Sequence, residues 1–393
     1  MRYSQLIVFL LWGVFFGCGQ KTRHSENQLS HDTLSTTPPL PFEVLHAQKF
    51  KIERKHGHIV ATVMGAWQGG EQHYAYILVP RGRPIPPLET FKTNSTDIVQ
   101  AIQTPIKSIV CTSTTHIPLL DFLDETATLA GFPGTDHIAS PKARALIDSG
   151  HIVSMGTETS LNIEKLLEVN PEVLMDYAMH GENNYVKLAK NAGISVIYNA
   201  DYLEETPLGR AEWIKFAGLL FDKSDMADSI FNTIATAYDS LRTLASTVDE
   251  KPTVFSGIMY GDTWFLPGGR NSGAIFLNDA GADYLWKHTQ SNGSLKLNFE
   301  TVFAKAFDAD YWIGVADFRS FESLLNANRR YGEFKAFKNK QVYTYNAQIG
   351  AKGGFTFFEL GYARPDIVLA DLIKILHPEL LPTYDMYFYK RLD

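Results

Sequence analysis

Two carboxylates occupy the same slot of a phrase that the chain writes twice. "LNIEKLLEVNPEVLMDY" begins at Leu161 and "LNFETVFAKAFDADYWIG" at Leu297, and each runs Leu-Asn, an apolar residue, Glu, an amphipathic stretch and a hydrophobic strand. Asn162 and Asn298 are candidate N-caps, which puts Glu164 and Glu300 at the second helical position, where the positive end of the helix dipole favours a carboxylate. Helix stability alone asks for nothing more than a first-turn acid. It does not ask for the same acid at the same offset from a following strand in both halves of the chain. Two exposed carboxylates on separate bodies do not act together on one small substrate; their chemistry is ion pairing with a basic partner, which steers and registers an encounter.

The elements around the repeated phrase say what those bodies are. From Phe42 to about Thr104 the chain is β-rich, with "FKIERKHGHIVATVMGAW" and "HYAYILVP" as extended segments and "RGRPIPP" as a proline-broken loop. From Pro105, short apolar strands such as "IKSIVCTST" and "EVLMDY" alternate with amphipathic helices such as "SPKARALIDSG" and "NIEKLLEVN". That grammar predicts a mostly parallel sheet covered on both faces. A helical pattern without interruption follows over residues 224–246, long enough at 1.5 Å per residue to run about 35 Å along the side of two lobes. A second alternation then begins at "KPTVFSGIMYG" and closes on the helix "PDIVLADLIKIL". The expected fold is α/β: two Rossmann-like lobes joined by one long backbone helix, with an N-terminal β-rich extension. The repeated phrase falls at corresponding points of the two lobes.

Composition bounds the rest. With 393 residues, 45% of them hydrophobic, the chain is long enough for two cores of ordinary size. Its net charge of -7, without any Lys/Arg run, gives no reason to expect nucleic acid. "MRYSQLIVFLLWGVFFGCG" has a positive start, an apolar run from Leu6 to Phe16 that is short for a membrane span, and small residues around Cys18. It resembles a bacterial lipoprotein precursor, in which the cysteine after the apolar run is lipidated and becomes the mature N-terminus. Gly17-Cys18 fits that pattern, while Phe15 and Phe16 depart from the usual residues before it; an uncleaved anchor or a plain signal peptide is the alternative. Residues 19–41, polar and closed by prolines, read as a tether holding a folded body off a membrane. Cys111 is then left alone in an apolar strand, as a small core residue. The organisation expected is a leader at 1–18, a tether at 19–41, extension plus first lobe at 42–223, the interlobe helix at 224–246 and the second lobe at 247–393.

Two lobes on one long helix, together with "NIEKLLEVNPEVLMDY", "TPLGRAEWIKF" and "NFETVFAKAFDADYWI", resemble the class III substrate-binding proteins of ABC importers, over the chain from about residue 42 onwards. The resemblance implies a periplasmic location with a lipid anchor, a monomer, no catalysis and no cofactor. It further implies a metal-containing ligand such as a ferric siderophore, cobalamin or haem, or a bare metal ion in some relatives. It also gives Glu164 and Glu300 a partner, since a permease made of two subunits would present arginines to one acid from each lobe.

In such a fold the ligand sits in the cleft at the carboxyl ends of the strands. First-lobe candidates are the loops carrying Thr115 and His116, Thr135 to His137, Asp176 to His180 with Tyr177, and Asp201 with Tyr202. Second-lobe candidates are Tyr260, Trp264 and Arg270 in "MYGDTWFLPGGR", then Trp286 and the loop 346–354. Tyr177, Tyr202, Tyr260 and Trp264 offer aromatic faces to a large ligand, and Arg270 a partner for an anionic group. Each has a plainer alternative: His116 opening a helix, the loop histidines solvated, Trp286 in the core. His56 and His58, beside Gly57, read as turn residues.

Two other functions compete. A bare-ion binder needs three or four ligands converging in the cleft, for which His116, His137, His180 and Glu204 are available without a spacing that demands it. An enzyme or chelatase on the same fold finds no His-Glu-x-x-His, Gly-x-Ser-x-Gly or phosphate loop to support it. A single helix between lobes predicts small closure on binding.

Overall fold

The computed structural model describes residues 40–94, 97–157, 160–179 and 181–393. The leader with Cys18, almost all of the tether, and His180 lie outside these. From Pro39 onward the chain forms one compact unit.

The extension is a four-stranded sheet. β1 (Phe50–Lys55) and β2 (His58–Met64) form a hairpin whose two-residue turn, His56-Gly57, has positive φ at both positions (48° and 80°). That conformation matches the twist of the strands, and glycine takes it without strain. Both histidines turn their rings onto Phe91, at 5.3 and 5.9 Å between centroids. β3 (His73–Pro80) pairs antiparallel with β2, and β4 (Ile98–Thr104) joins β3 in parallel. Alternation along the strands sends Phe50, Val63, Tyr74 and Tyr76 into the first-lobe core and Val60, Ile77 and Val79 to the opposite face, under Phe91.

The first lobe follows the expected alternation: β5 (Ile109–Cys111), α1 (Ile117–Phe122), β6 (Leu129–Phe132), α2 (Pro141–Asp148), β7 (Val153–Ser154), a short ribbon of β8 (Gly156–Thr157) and β9 (Ser160–Leu161), α3 (Ile163–Val169), β10 (Val173–Asp176), α4 (Asn184–Asn191) and β11 (Ser195–Tyr198). Its sheet has the order β11-β10-β5-β6-β7, parallel throughout. Cys111 is fully buried in β5, as a core residue. Then α5 (Pro207–Ala211) and α6 (Trp213–Leu220) lead into α7 (Ser224–Ala245), a single helix of 22 residues.

The second lobe comprises β12 (Thr253–Ser256), the hairpin β13 (Ile258–Tyr260) and β14 (Thr263–Pro267), α8 (Ser272–Asp279), β15 (Asp283–Tyr284), β16 (Ser294–Leu297), α9 (Phe299–Ala306), β17 (Tyr311–Ile313), α10 (Phe321–Ala327), α11 (Lys335–Lys338), β18 (Val342–Thr344), α12 (Thr356–Leu360), α13 (Pro365–Leu376) and β19 (Lys390–Arg391). The sheet runs β15-β12-β17-β18-β19, with only β19 antiparallel. A separate antiparallel sheet, β13-β14-β16, was not anticipated and lies ahead of α9. α7 packs on α6 of the first lobe and on α13 of the second, as a helix spanning both should.

The stretch "TPLGRAEWIKF" holds the extension onto the first lobe. Glu212, fully buried, accepts the backbone N–H groups of Leu45, His46 and Ala47 at 2.9, 2.6 and 2.8 Å. Glu204, also buried, accepts those of Gln48 and Lys49 at 2.8 Å each and the indole N–H of Trp213 at 3.1 Å. Lys215 answers the buried charge, pairing with Glu212 at 3.1 Å and Asp228 at 3.0 Å. A buried ion pair adds little over an apolar substitute, but removing one partner leaves the other groups unsatisfied. Glu212→Ala is therefore expected to cost about 3–5 kcal/mol of unfolding free energy in a denaturant titration, while Glu164→Ala, in an exposed first turn, leaves the midpoint almost unchanged.

Candidate functional site

A groove lies between the lobes, with Asp121 and Arg144 on one side and Ile349 and Glu359 on the other, and the loops at the carboxyl ends of the strands carry most of the chemistry. On the first lobe, Ser113 caps the turn Thr114–His116 and exchanges a 3.0 Å hydrogen bond with Thr115. Behind it Asp176, at the end of β10, is fully buried and accepts the hydroxyls of Thr112 (2.7 Å) and Tyr185 (2.6 Å). Burial raises the Asp176 carboxyl above its ordinary range against the pull of those hydrogen bonds. Asp201, after β11, is raised by burial too, with Thr115 and Arg210 acting the other way. Tyr177 and Tyr202 meet edge to face, 6.4 Å between centroids. His116 is fully buried, and neither ring nitrogen has a hydrogen-bond partner; burial pushes its pKa down to about 3, which keeps the ring neutral.

On the second lobe a cavity of about 370 Å³ opens at the ends of β12 and β17. Tyr345, Phe357, Phe358 and Tyr362 supply aromatic walls, Ser272 and Gly273 bring the N-terminus of α8, and Arg210 reaches in from the first lobe. The Arg210 guanidinium lies 4.6 Å from the centre of the Tyr362 ring and donates to the carbonyls of Tyr202 (3.2 Å) and Glu204 (3.3 Å). On the other side of α12 lies an interlobe groove of about 630 Å³, lined by Asp121, Arg144, Ile349, Glu359 and Tyr387 among others. Glu359 crosses the cleft: its carboxylate accepts the backbone N–H groups of Ala139 (2.6 Å) and Ser140 (2.7 Å), at the start of α2.

This geometry corrects several sequence expectations. Trp264 is not a cleft residue; it is fully buried, with Phe255, Phe299, Trp312, Tyr331 and Phe334 around it and its indole N–H donated to the Ser256 carbonyl at 3.0 Å. The adjacent Gly-Gly turn suggested a loop, but β14 continues through Trp264 and its alternation points the ring inward. Trp286 is likewise core. Glu204 is unavailable to a metal ion because it caps the extension. Arg270 is committed to Glu205 at 2.7 Å, although its side chain is still half exposed. Tyr260 is 63% exposed on the β13–β14 hairpin, and His137 is exposed. Among the described residues no three of His, Cys, Asp and Glu converge as a metal-ligand group. The residues that sequence reasoning missed, Arg210, Tyr345, Phe357, Phe358, Glu359 and Tyr362, include half of "FTFFELGY", whose aromatic density beside a glycine-rich loop was the available signal.

Both repeated acids are where the phrase put them. Asn162 accepts the Lys165 N–H at 3.0 Å and Asn298 that of Thr301 at 2.8 Å, so Glu164 and Glu300 stand exposed in the first turns of α3 and α9. Glu300 pairs with Arg330 at 2.9 Å, and that guanidinium lies 4.0 Å from the centre of the Phe299 ring.

Two parallel-sheet lobes on one spanning helix, with their strand ends turned to a shared cleft, define a solute-binding architecture. The chain matches the periplasmic binding protein family over residues 109–349 and belongs to it. It is 26% identical to an uncharacterized lipoprotein of Methanocaldococcus jannaschii, an alignment covering 99% of this chain and all of that one. Among solved structures, the fold is similar to Helicobacter pylori CeuE with Ni(II) bound (TM-score 0.55, 20% identity, 73% of this chain and 88% of that one). It is also similar to the periplasmic heme-binding protein RhuT from Roseiflexus (TM-score 0.54, 15% identity, 70% and 99%).

The Glu359 contact has a pH signature. Burial, the largest influence, and nearby Asp121 raise its carboxyl from 4.5 to about 7, against the lowering effect of the two amides. The other charged or titratable groups around it are Arg144 and Asp148 on α2, His116 beside α1, and Tyr387. A carboxyl raised by burial stabilises the contact fully below about pH 4.5, and that contribution is lost as pH rises through about 7. Amide exchange at Ala139 and Ser140, corrected for the intrinsic rate, is expected to speed up between about pH 5 and about pH 8 while amides inside α7 keep their protection.

Proposed function

We propose that the protein is the capture component of an ABC importer, held at the outer face of a membrane by a lipid on Cys18. It binds a metal-containing chelate, of the ferric siderophore or cobalamin class, between its lobes. The observation that carries this reading is the lining of the second-lobe cavity beside the cleft: Tyr345, Phe357, Phe358 and Tyr362 with a guanidinium among them. Such walls match a ligand with extensive organic surface and anionic groups. The bare-ion alternative loses Glu204, which is spent on backbone amides. Haem, with its planar ring and carboxylates, fits the same lining, and the similarity to a heme-binding protein keeps it as the second reading.

Glu164 and Glu300 then dock the two lobes on the two permease subunits. Both are exposed, and the Glu300–Arg330 pair is a surface pair worth about 0–1 kcal/mol, so exchanging it for a permease arginine costs little. This suits a complex that must form and dissociate in every transport cycle.

Two measurements test the reading. Calorimetric titration with ferric siderophores, cobalamin, haem and bare divalent ions is expected to give saturable binding of one chelate, weakened at least about tenfold by Tyr345→Ala, as loss of a stacked aromatic implies, and unchanged by Trp264→Phe. A response to bare ions alone would refute it. Replacing Glu164 and Glu300 together by Arg is expected to leave that affinity intact and abolish uptake in cells carrying the cognate permease; sustained uptake would return both acids to a purely helix-stabilising role.

A further inference from the structure

Helix α12 separates the aromatic cavity from the interlobe groove; Phe357 packs it on the second lobe against Tyr345, Phe388 and Tyr389, and a few contacts hold it to the first lobe. Phe357, Phe358 and Tyr362 face the cavity, while Thr356, Glu359 and Leu360 face the groove. The helix packs across the cleft on the turn Thr114–His116 and on α1. Its polar anchor to the first lobe is the Glu359 carboxylate on the Ala139 and Ser140 amides.

The segment leading into it is pressed onto the same strip. A Cβ built at Gly354 would lie 2.1 Å from the His137 carbonyl oxygen, and one at Gly350 would lie 2.7 Å from the Ala139 Cα. Glycine permits this close approach of backbone to backbone. The Gly350 N–H also donates to the Gly354 carbonyl at 2.7 Å, closing the loop on itself. Short glycine-rich flanks, with Gly361 at the other end, are what a small rigid element needs to swing.

His116 is the second, independent observation. A fully buried imidazole with both nitrogens unpartnered is costly in a finished core, where a hydrogen bond or a water normally satisfies it. It is cheap if the burial is temporary and the ring meets solvent or ligand when its cover leaves.

We infer that residues 349–361 form a lid, latched to the first lobe by Glu359, whose release joins the aromatic cavity to the interlobe groove and bares His116 to the cleft. The lobes need not move apart. The inference goes beyond the proposed function, because the lid opens whether the cargo is a chelate, haem or an ion.

Carbethoxylation of the full chain by diethyl pyrocarbonate at about pH 6, read peptide by peptide in a mass spectrometer, tests it. His56, exposed on its hairpin turn, reports reagent; Cys111, fully buried in the strand just before the His116 turn, reports global unfolding through its reaction with a thiol reagent. His116 is expected to react slowly in the wild type and about tenfold faster in Glu359→Ala, the factor implied by losing a buried hydrogen bond. His56 and Cys111 stay at their wild-type rates. Glu359→Gln, which keeps the volume and one acceptor, falls between. Equal His116 rates in all three proteins would overturn the lid, and so would acceleration of His116 only in step with Cys111, since that is unfolding.

Discussion

One helix decides how this protein can work. α7 is continuous over 22 residues and is shared by two cores, burying Ala227 and Phe231 toward the first lobe and Tyr238 and Ala245 toward the second. It is pinned at both ends by polar contacts as well: Asp228 to Lys215 on one side, the Tyr238 hydroxyl to Asp279 at 2.7 Å on the other. Bending such a helix would break its own hydrogen bonds and open two packed surfaces at once. Wide rotation of one lobe against the other is therefore the expensive motion, and access to the cleft falls to smaller elements at its edge.

The buried ionisable groups follow that division. Glu204, whose carboxyl burial also raises, Glu212 and Lys215 are fixed by backbone amides or by one another, where the extension meets the first lobe. Asp176, Asp201 and Glu359, whose carboxyls burial raises, are gathered at the strand ends, with the neutral His116 beside them. The two sets are held by the same kind of hydrogen bond and differ in what packs around them: a continuous core for the first, and for Glu359 a five-residue helix between two cavities.

Much of this was legible beforehand, for reasons that are themselves physical. Period-2 and period-3.6 patterns fixed both lobes and α7, because a parallel sheet covered by helices writes apolar strands and amphipathic helices in strict alternation. Caps at Asn162 and Asn298 placed the two acids, since an N-cap is a local event. The cleft was harder. Trp264 looked like a loop residue because the glycines after it are adjacent in sequence, whereas its fate depends on strand pairing with residues near Leu297. Arg210 and Glu359 were invisible because Arg210 reaches the Tyr362 ring and Glu359 the Ala139 and Ser140 amides, each more than a hundred residues away, and long-range pairing leaves no local periodicity. The repeated phrase succeeded for the opposite reason: an exposed site carries its whole meaning in its own helix turn.

The two acids are alike in sequence and unlike in setting. Glu300 has Arg330 at 2.9 Å, and apolar residues continue along its helix through Phe303 to Phe307, which is 54% exposed. Glu164 stands in a turn whose next exposed apolar residue is Leu167, 44% exposed. Pseudo-symmetry therefore extends to the position of the charge and stops short of its surroundings. A symmetric partner meeting this chain would find one carboxylate open and the other already answered by a guanidinium that must swing aside. Since exposed pairs contribute little to stability but much to orientation, that difference bears on how an encounter is registered more than on how tightly it holds.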